Sequence, residues 1–290
     1  MPKLDFRLIP KPTPGRRPTR VAYALPTFFT AGNIFLGFIA ILKTFEGAIS
    51  ASAGALGPNA SFEAAAKMIG VAVLLDGLDG RLARMTNTVS DFGREMDSLA
   101  DAVTFGLAPA ILAFAWGMHY AAIPAPFLEQ HIQRVGYFVA FMFLLCGVAR
   151  LARFNVQANP VPKNPGRPDR KYFVGLPIPA AALLVVAVIN SANSDPIRSL
   201  TLSFAWMALL CLLAFLMVST WRYYSFKDLN LLHPRSPLTI ILFASLIYLI
   251  WFYSQPTLLA LAVIYVGSGI VIRIGGVIRR LLRRSTPQAS

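Results

Sequence analysis

Four carboxylates set the chemistry of this chain. The stretch DGLDGRLARMTNTVSDFGREMDSLAD, residues 76–101, carries Asp76, Asp79, Asp97 and Asp101 together with Arg81, Arg84 and Arg94. On a helix advancing about 100° per residue, Asp79, Gly80, Ala83 and Arg84 fall within about 80° of Asp76. Leu74, Leu75, Leu78 and Leu82 cover the opposite half. The polar run MTNTVSDFG then lets the chain turn, and Ser90 or Asp91 can cap a second helix. On that helix Asp97 and Asp101 are i, i+4, with Gly93, Ala100 and Thr104 on the same face. Two antiparallel helices joined here bring one acidic face against the other, and the glycines and alanines permit close approach. Converging carboxylate oxygens suit Mg²⁺ or Mn²⁺, and such an ion commonly serves a substrate phosphate. Arg84 on the same face can bind a phosphate oxygen. The chemistry expected is therefore at a phosphate.

The elements that position these acids are membrane helices. Hydrophobic residues make up 56% of the 290-residue chain and charged residues only 14%, against roughly 25% charged in soluble domains. Crossing the hydrocarbon takes about 20 apolar residues. Eight segments qualify: 24–45, 62–85, 94–117, 135–154, 174–193, 200–221, 236–253 and 256–278. Their length, and the lack of alternation with period two, predict an all-α bundle of about eight transmembrane helices. Residues 1–21 read as a basic, Pro-rich arm without the features of a signal peptide, 22–284 as one transmembrane domain, and 285–290 as a tail. No repeat and no separate soluble domain is evident.

Lys and Arg set the orientation. They crowd the arm (Lys3, Arg7, Lys11, Arg16, Arg17, Arg20), the 4–5 connection (Arg150, Arg153, Lys163, Arg167, Arg170, Lys171), the 6–7 connection (Arg222, Lys227, Arg235) and the C-terminal end (Arg273, Arg279, Arg280, Arg283, Arg284). The alternate loops hold only Arg134 and Arg198. Both termini and the acidic turn are thus expected on the cytoplasmic side of the cytoplasmic (inner) membrane. The net charge of +14 is juxtamembrane and fits anionic lipid headgroups rather than nucleic acid. Cys146 and Cys211 lie inside expected helices and read as packing residues, and Asn59-Ala60-Ser61 matches a glycosylation sequon, a pattern short enough to occur by chance.

Surface aspartates need no explanation, but an acid at mid-helix depth in a membrane costs roughly 2.5–3.5 kcal/mol on insertion scales. Pairing with Arg81, Arg84 or Arg94 relieves part of that cost. It leaves acids facing acids, which a divalent cation resolves.

The pattern Asp76-x-x-Asp79-Gly80-x-x-Ala83-Arg84, then Gly93-x-x-x-Asp97-x-x-x-Asp101, resembles the signature of the CDP-alcohol phosphatidyltransferases. The resemblance implies a helical membrane enzyme that moves a phosphatidyl group from a CDP-lipid to an alcohol and releases CMP. It implies that Asp76, Asp79 and Asp97 hold one or two divalent ions. Asp101 would share in that binding and act as general base. Gly80, Ala83, Arg84 and Gly93 would contact the CDP-lipid. In helix 1, LPTFFTAGNIFLGF is similar to the family's nucleotide-side segment and adds Thr30 and Asn33, while Thr27 stands where many relatives have Asn. Three further stretches, MDSLADAVTFGLAPA (96–110), RLARFN (150–155) and YFVGLPIPAAA (172–182), resemble the phosphatidylserine synthase branch. The resemblance therefore implies CDP-diacylglycerol as donor and L-serine as acceptor, and a homodimer. The carboxylate of serine needs a cation, for which Arg150, Arg153 and Lys171 lie on the expected side.

Two alternatives remain at this point. One is the same chemistry with another acceptor, such as glycerol 3-phosphate or inositol phosphate. The other is a cation-coupled transporter, although the acids flank a cytoplasmic turn rather than the bilayer midplane. His119, His131 and His233 are scattered, and no covalent nucleophile is expected.

Overall fold

The computed structural model describes residues 20–54, 56–86, 91–120, 126–157, 172–224, 245, 249 and 253–284, with side chains except at 20–27, 79–86, 91, 126–129, 157, 172–173, 222, 224 and 276–284. The helices are α1 (Arg20–Ser52), α2 (Ala60–Thr86), α3 (Asp91–Asp101), α4 (Ala108–Gly117), α5 (Pro126–Gln157), α6 (Ile178–Ser191), α7 (Leu200–Val218) and α8 (Ser254–Arg284). A π-helical stretch, Ala102–Leu107, joins α3 to α4 without a break. Two short strands, β1 (Tyr172–Val174) and β2 (Arg222–Tyr224), pair antiparallel with Phe173 opposite Tyr223. The expected all-α character holds for the spans, and the ribbon adds a small β element that apolar length alone did not indicate. The expected segment 236–253 lies outside the described residues apart from single positions.

Five helical stretches among the described residues are long and apolar enough to cross a membrane: Phe28–Ser52, Phe92–Gly117, Gln130–Val156, Leu200–Val218 and Ser254–Gly275. Two expected spans are not among these five. The apolar run 174–193 begins as strand, and its helix, Ile178–Ser191, has 14 residues. At 1.5 Å per residue it rises only about 21 Å. It is buried on almost every side, at Ile178, Ala181, Ala182, Leu184, Val185, Val186, Ala187 and Ile189, as expected of a helix apolar all round. The segment around α2 is interrupted by Glu63, Lys67 and Asp76, and Glu63 and Lys67 pair along the helix.

The centre of the bundle is α3, the π stretch and α4, packed with α6. Around it α1 lies along α2, α5 along α7, and α8 against α6 and β2. The π stretch has a local cause. Pro109 sits in the first turn of α4 and cannot donate the bond that an α-helix would send to the Phe105 carbonyl. The Ala108 N–H reaches back to the Val103 carbonyl instead. Thr104, within this stretch, is fully buried, and its hydroxyl donates to the Asn33 carbonyl of α1 at 3.0 Å. Gly37 makes that approach possible: a Cβ there would sit 2.6 Å from Thr104 Oγ1 and 2.9 Å from Thr104 Cα.

At the opposite end, Asn59 closes the α1–α2 hairpin. Its Oδ1 accepts from the N–H groups of Ser61 and Phe62 at 3.0 and 3.2 Å, and its Nδ2 donates to the Gly47 carbonyl at 3.0 Å. The sequon asparagine is thus a buried helix cap. Both cysteines are free thiols.

Candidate active site

Asp76 stands on α2, and Asp97 and Asp101 stand one helical turn apart on α3. The structure brings these three together: one carboxylate oxygen from each lies within 4.8 Å of the others. Asp76 and Asp97 are half-buried, whereas Asp101 is buried and its Oδ1 has no hydrogen-bond partner. Asp79, Gly80, Ala83 and Arg84 follow on α2, but their side chains lie outside the described ones. Gly93, half-buried, is one turn before Asp97 on α3.

The donor set fits a hard divalent cation. Its ligand atoms are all carboxylate oxygens from two rigid helices, and the orphaned Oδ1 of Asp101 is a buried acceptor with nothing to accept from. Three like charges this close repel unless protonated or neutralised, and oxygen-rich sites of this kind suit Mg²⁺ or Mn²⁺.

Thr30 and Asn33 on α1 are both buried, at 5% and 2% exposure, and Asn33 Oδ1 has no partner. Asn33 presents its main-chain carbonyl to Thr104 and so is anchored three residues past Asp101. Thus α1, the π stretch and the acidic pair on α3 form one packed unit.

The two arginines of RLARFN have different surroundings. Arg150 is buried, with 9% exposure and an unpartnered Nε, and lies within electrostatic reach of Asp101. Arg153 is spent on main chain. Its guanidinium donates to the carbonyls of Val218 at 2.8 Å, Val174 at 3.2 Å, Met217 at 3.3 Å and Ser219 at 3.4 Å. It caps the C-terminal carbonyls of α7, which have no partner within the helix, and ties them to β1. Asn155 in the same motif donates to Ser98 Oγ at 2.9 Å and so fastens α5 to α3. Lys171 lies outside the described residues.

YFVGLPIPAAA supplies the other half of this junction. Gly175 has φ of +80°, and a Cβ there would lie 2.5 Å from the Met217 carbonyl oxygen and 2.7 Å from Arg153 Nη2. Only glycine meets both conditions. The Gly175 N–H donates to the Trp221 carbonyl at 2.8 Å and the Leu176 N–H to that of Leu216 at 3.0 Å. Sequence reasoning missed this junction, and the Arg153–Gly175 contact in particular. The signal was a glycine followed directly by Leu-Pro, which marks a turn before a helix, but the packing of one motif on the other has no local signature.

Comparison with known proteins agrees with the geometry. A family model described as CDP-alcohol phosphatidyltransferase matches residues 23–212, more than half of the chain. A protein from Helicobacter pylori (strain ATCC 700392 / 26695) named CDP-diacylglycerol–serine O-phosphatidyltransferase is 33% identical over 231 residues, covering 80% of this chain and 84% of its own. A protein of the same name from Bacillus subtilis (strain 168) is 32% identical over 203 residues, covering 70% and 91%. An archaetidylserine synthase from Methanothermobacter thermautotrophicus is 33% identical over 164 residues, covering 56% of each chain. The acidic signature, its convergence across two helices and these matches lead to one conclusion: the chain belongs to the CDP-alcohol phosphatidyltransferase family.

Proposed function

We propose that the protein transfers a phosphatidyl group from CDP-diacylglycerol to the hydroxyl of L-serine, giving phosphatidylserine and CMP, with a divalent cation, Mg²⁺ or Mn²⁺, held by Asp76, Asp79, Asp97 and Asp101. The observation that carries this reading is the convergence of Asp76, Asp97 and Asp101 within 4.8 Å around a buried, unpartnered Asp101 oxygen. Serine is favoured as acceptor because relatives that differ in the lipid half of their names, phosphatidyl and archaetidyl, share serine in them. A buried arginine near Asp101 also suits an amino-acid carboxylate.

When bound, the cation neutralises the diphosphate of the donor and the charge that builds on departing CMP. The chain's own residues do the rest. Asp101 takes the proton from the acceptor hydroxyl. That oxygen forms its bond to the phosphorus carrying diacylglycerol while the bond from that phosphorus to the CMP oxygen breaks. Gly80, Ala83 and Gly93 leave room for the CDP-lipid, Arg84 steadies the diphosphate, and Thr30 and Asn33 hold the nucleotide side. Arg150 receives the serine carboxylate. Arg153, whose donors serve main-chain carbonyls, holds Arg150's helix in place, and Lys171 adds a second cation. No covalent enzyme intermediate enters.

The same reading puts both termini and the acidic turn at the cytoplasmic face of the cytoplasmic membrane, counts eight spans within a domain of residues 22–284, and takes the protein to be a homodimer. The basic arm and tail then meet anionic lipid. Purified protein given CDP-diacylglycerol and a panel of alcohols tests the function. CMP release with L-serine is expected, stopped by EDTA and restored by Mg²⁺ or Mn²⁺. Release only with glycerol 3-phosphate or inositol phosphate would replace the acceptor, and indifference to chelator would remove the cation. A cation-coupled transporter, open when the acids were read alone, has no support from a chain that belongs to a transferase family.

A further inference from the structure

The two helices that carry the acids meet through a third. Among the described residues α3 packs on α1 rather than on α2, and α1 lies along α2. Helix α1 is therefore the common support of Asp76 on one side and of Asp97 and Asp101 on the other. A hydrogen bond joins it to the acid-bearing helix three residues past Asp101. There the Thr104 hydroxyl, on a fully buried side chain, donates to the Asn33 main-chain carbonyl at 3.0 Å. The approach is close. A Cβ on Gly37, one turn along α1 from Asn33, would lie 2.6 Å from Thr104 Oγ1 and 2.9 Å from Thr104 Cα.

The π stretch decides which way that hydroxyl faces. On an α-helix Thr104 would share the face of Asp97 and Asp101. A bond that closes over five residues, such as that from the Ala108 N–H to the Val103 carbonyl, turns the chain less per residue. Thr104 therefore falls further round, onto α1, while one carboxylate oxygen each of Asp97 and Asp101 stays within 4.8 Å of one on Asp76. A helix bonded at one point of its circumference cannot roll about its axis without breaking that bond. Here the roll would swing Asp97 and Asp101 away from Asp76.

We propose that Thr104 is a positioning residue for the cation site. By tying the π stretch to the α1 main chain it fixes the rotation of α3 and so aims Asp97 and Asp101 at Asp76. This rests on the reading that these acids hold a divalent cation. It gives a part in cation affinity to a side chain whose hydroxyl serves main chain rather than the ion.

The test uses the purified full-length protein with Thr104→Val, which keeps the shape and removes the hydroxyl, Thr104→Ser, which keeps the hydroxyl, and Gly37→Ala, which presses on the same bond from α1 with Thr104 intact. Mn²⁺ affinity is read by electron paramagnetic resonance of the free ion, well below the melting temperature of each variant, so that a loss of stability alone leaves it unchanged. Thr104→Val is expected to bind Mn²⁺ about tenfold more weakly, the low end of the cost of losing a group that orients metal ligands. Gly37→Ala should weaken it as well, and Thr104→Ser should bind as the wild type does. Turnover should fall with Mn²⁺ affinity across the set. Wild-type Mn²⁺ affinity in Thr104→Val overturns this proposal alone. So does a loss in Thr104→Ser as large as that in Thr104→Val, which marks packing of the methyl rather than the hydroxyl bond. If valine prevents folding, Thr104→Ala takes its place with the same expected loss. A wild type that binds no Mn²⁺ overturns the cation reading and this proposal with it.

Discussion

Arg153 on α5 donates to the carbonyl of Val218, the last residue of α7, at 2.8 Å, and the same guanidinium reaches Val174 on β1 at 3.2 Å. One side chain therefore ends a helix, anchors a strand and fixes the end of its own helix. Arg150 lies one turn earlier, buried and within reach of Asp101. Two arginines three residues apart thus have different surroundings, one of main-chain carbonyls and one buried without them.

That difference is measurable. Arg153→Ala should lower stability by about 1.5–3 kcal/mol, since a charged donor to several carbonyls is lost, with similar proportional effects on both KM values. Arg150→Ala should raise the KM for serine and leave that for CDP-diacylglycerol nearly unchanged. Thermal melts in detergent and steady-state kinetics on both variants check this. An unchanged serine KM in Arg150→Ala would return that residue to topology alone.

Gly175→Ala should be among the most damaging single-methyl changes in the chain. The new Cβ meets the Met217 carbonyl oxygen at 2.5 Å and Arg153 Nη2 at 2.7 Å, at a φ of +80°. A loss of about 1–3 kcal/mol is expected from backbone strain alone. The variant should melt earlier and lose protection from hydrogen exchange in 172–176 first.

Asp97→Asn and Asp101→Asn should each lower turnover by about 10²–10⁴-fold while the melting temperature holds or rises, because removing one of three converging charges relieves repulsion. Mn²⁺ binding, followed by electron paramagnetic resonance of the free ion, should weaken in both. Near-normal activity in either variant would sink the assignment of these acids.

Asn59→Ala should destabilise the α1–α2 hairpin by about 1 kcal/mol, since Oδ1 accepts from Ser61 and Phe62 and Nδ2 donates to Gly47. The kinetic constants should stay near wild type, because this cap is at the end of the hairpin away from the aspartates. A melt paired with an activity assay reads both.

The sequence by itself determined the class of fold and the chemistry of the site. Apolar segments of spanning length and the spacing of Asp76, Asp97 and Asp101 follow from local rules: hydrocarbon thickness in one case, helical periodicity in the other. These rules hold regardless of what else the chain does, so the acidic faces were legible before any packing was known. The tertiary structure decided what depends on contacts between distant segments. It made 174–193 a strand, a turn and a short buried helix, because Gly175 must admit Arg153 and α6 is enclosed by its neighbours. It placed a π stretch after Asp101, where Pro109 removes a donor and Thr104 finds Asn33. It separated Arg150 from Arg153, alike in sequence, by giving one a carboxylate neighbour and the other four carbonyls. Such relations join residues tens of positions apart, and no local pattern of residue types encodes which of them will meet.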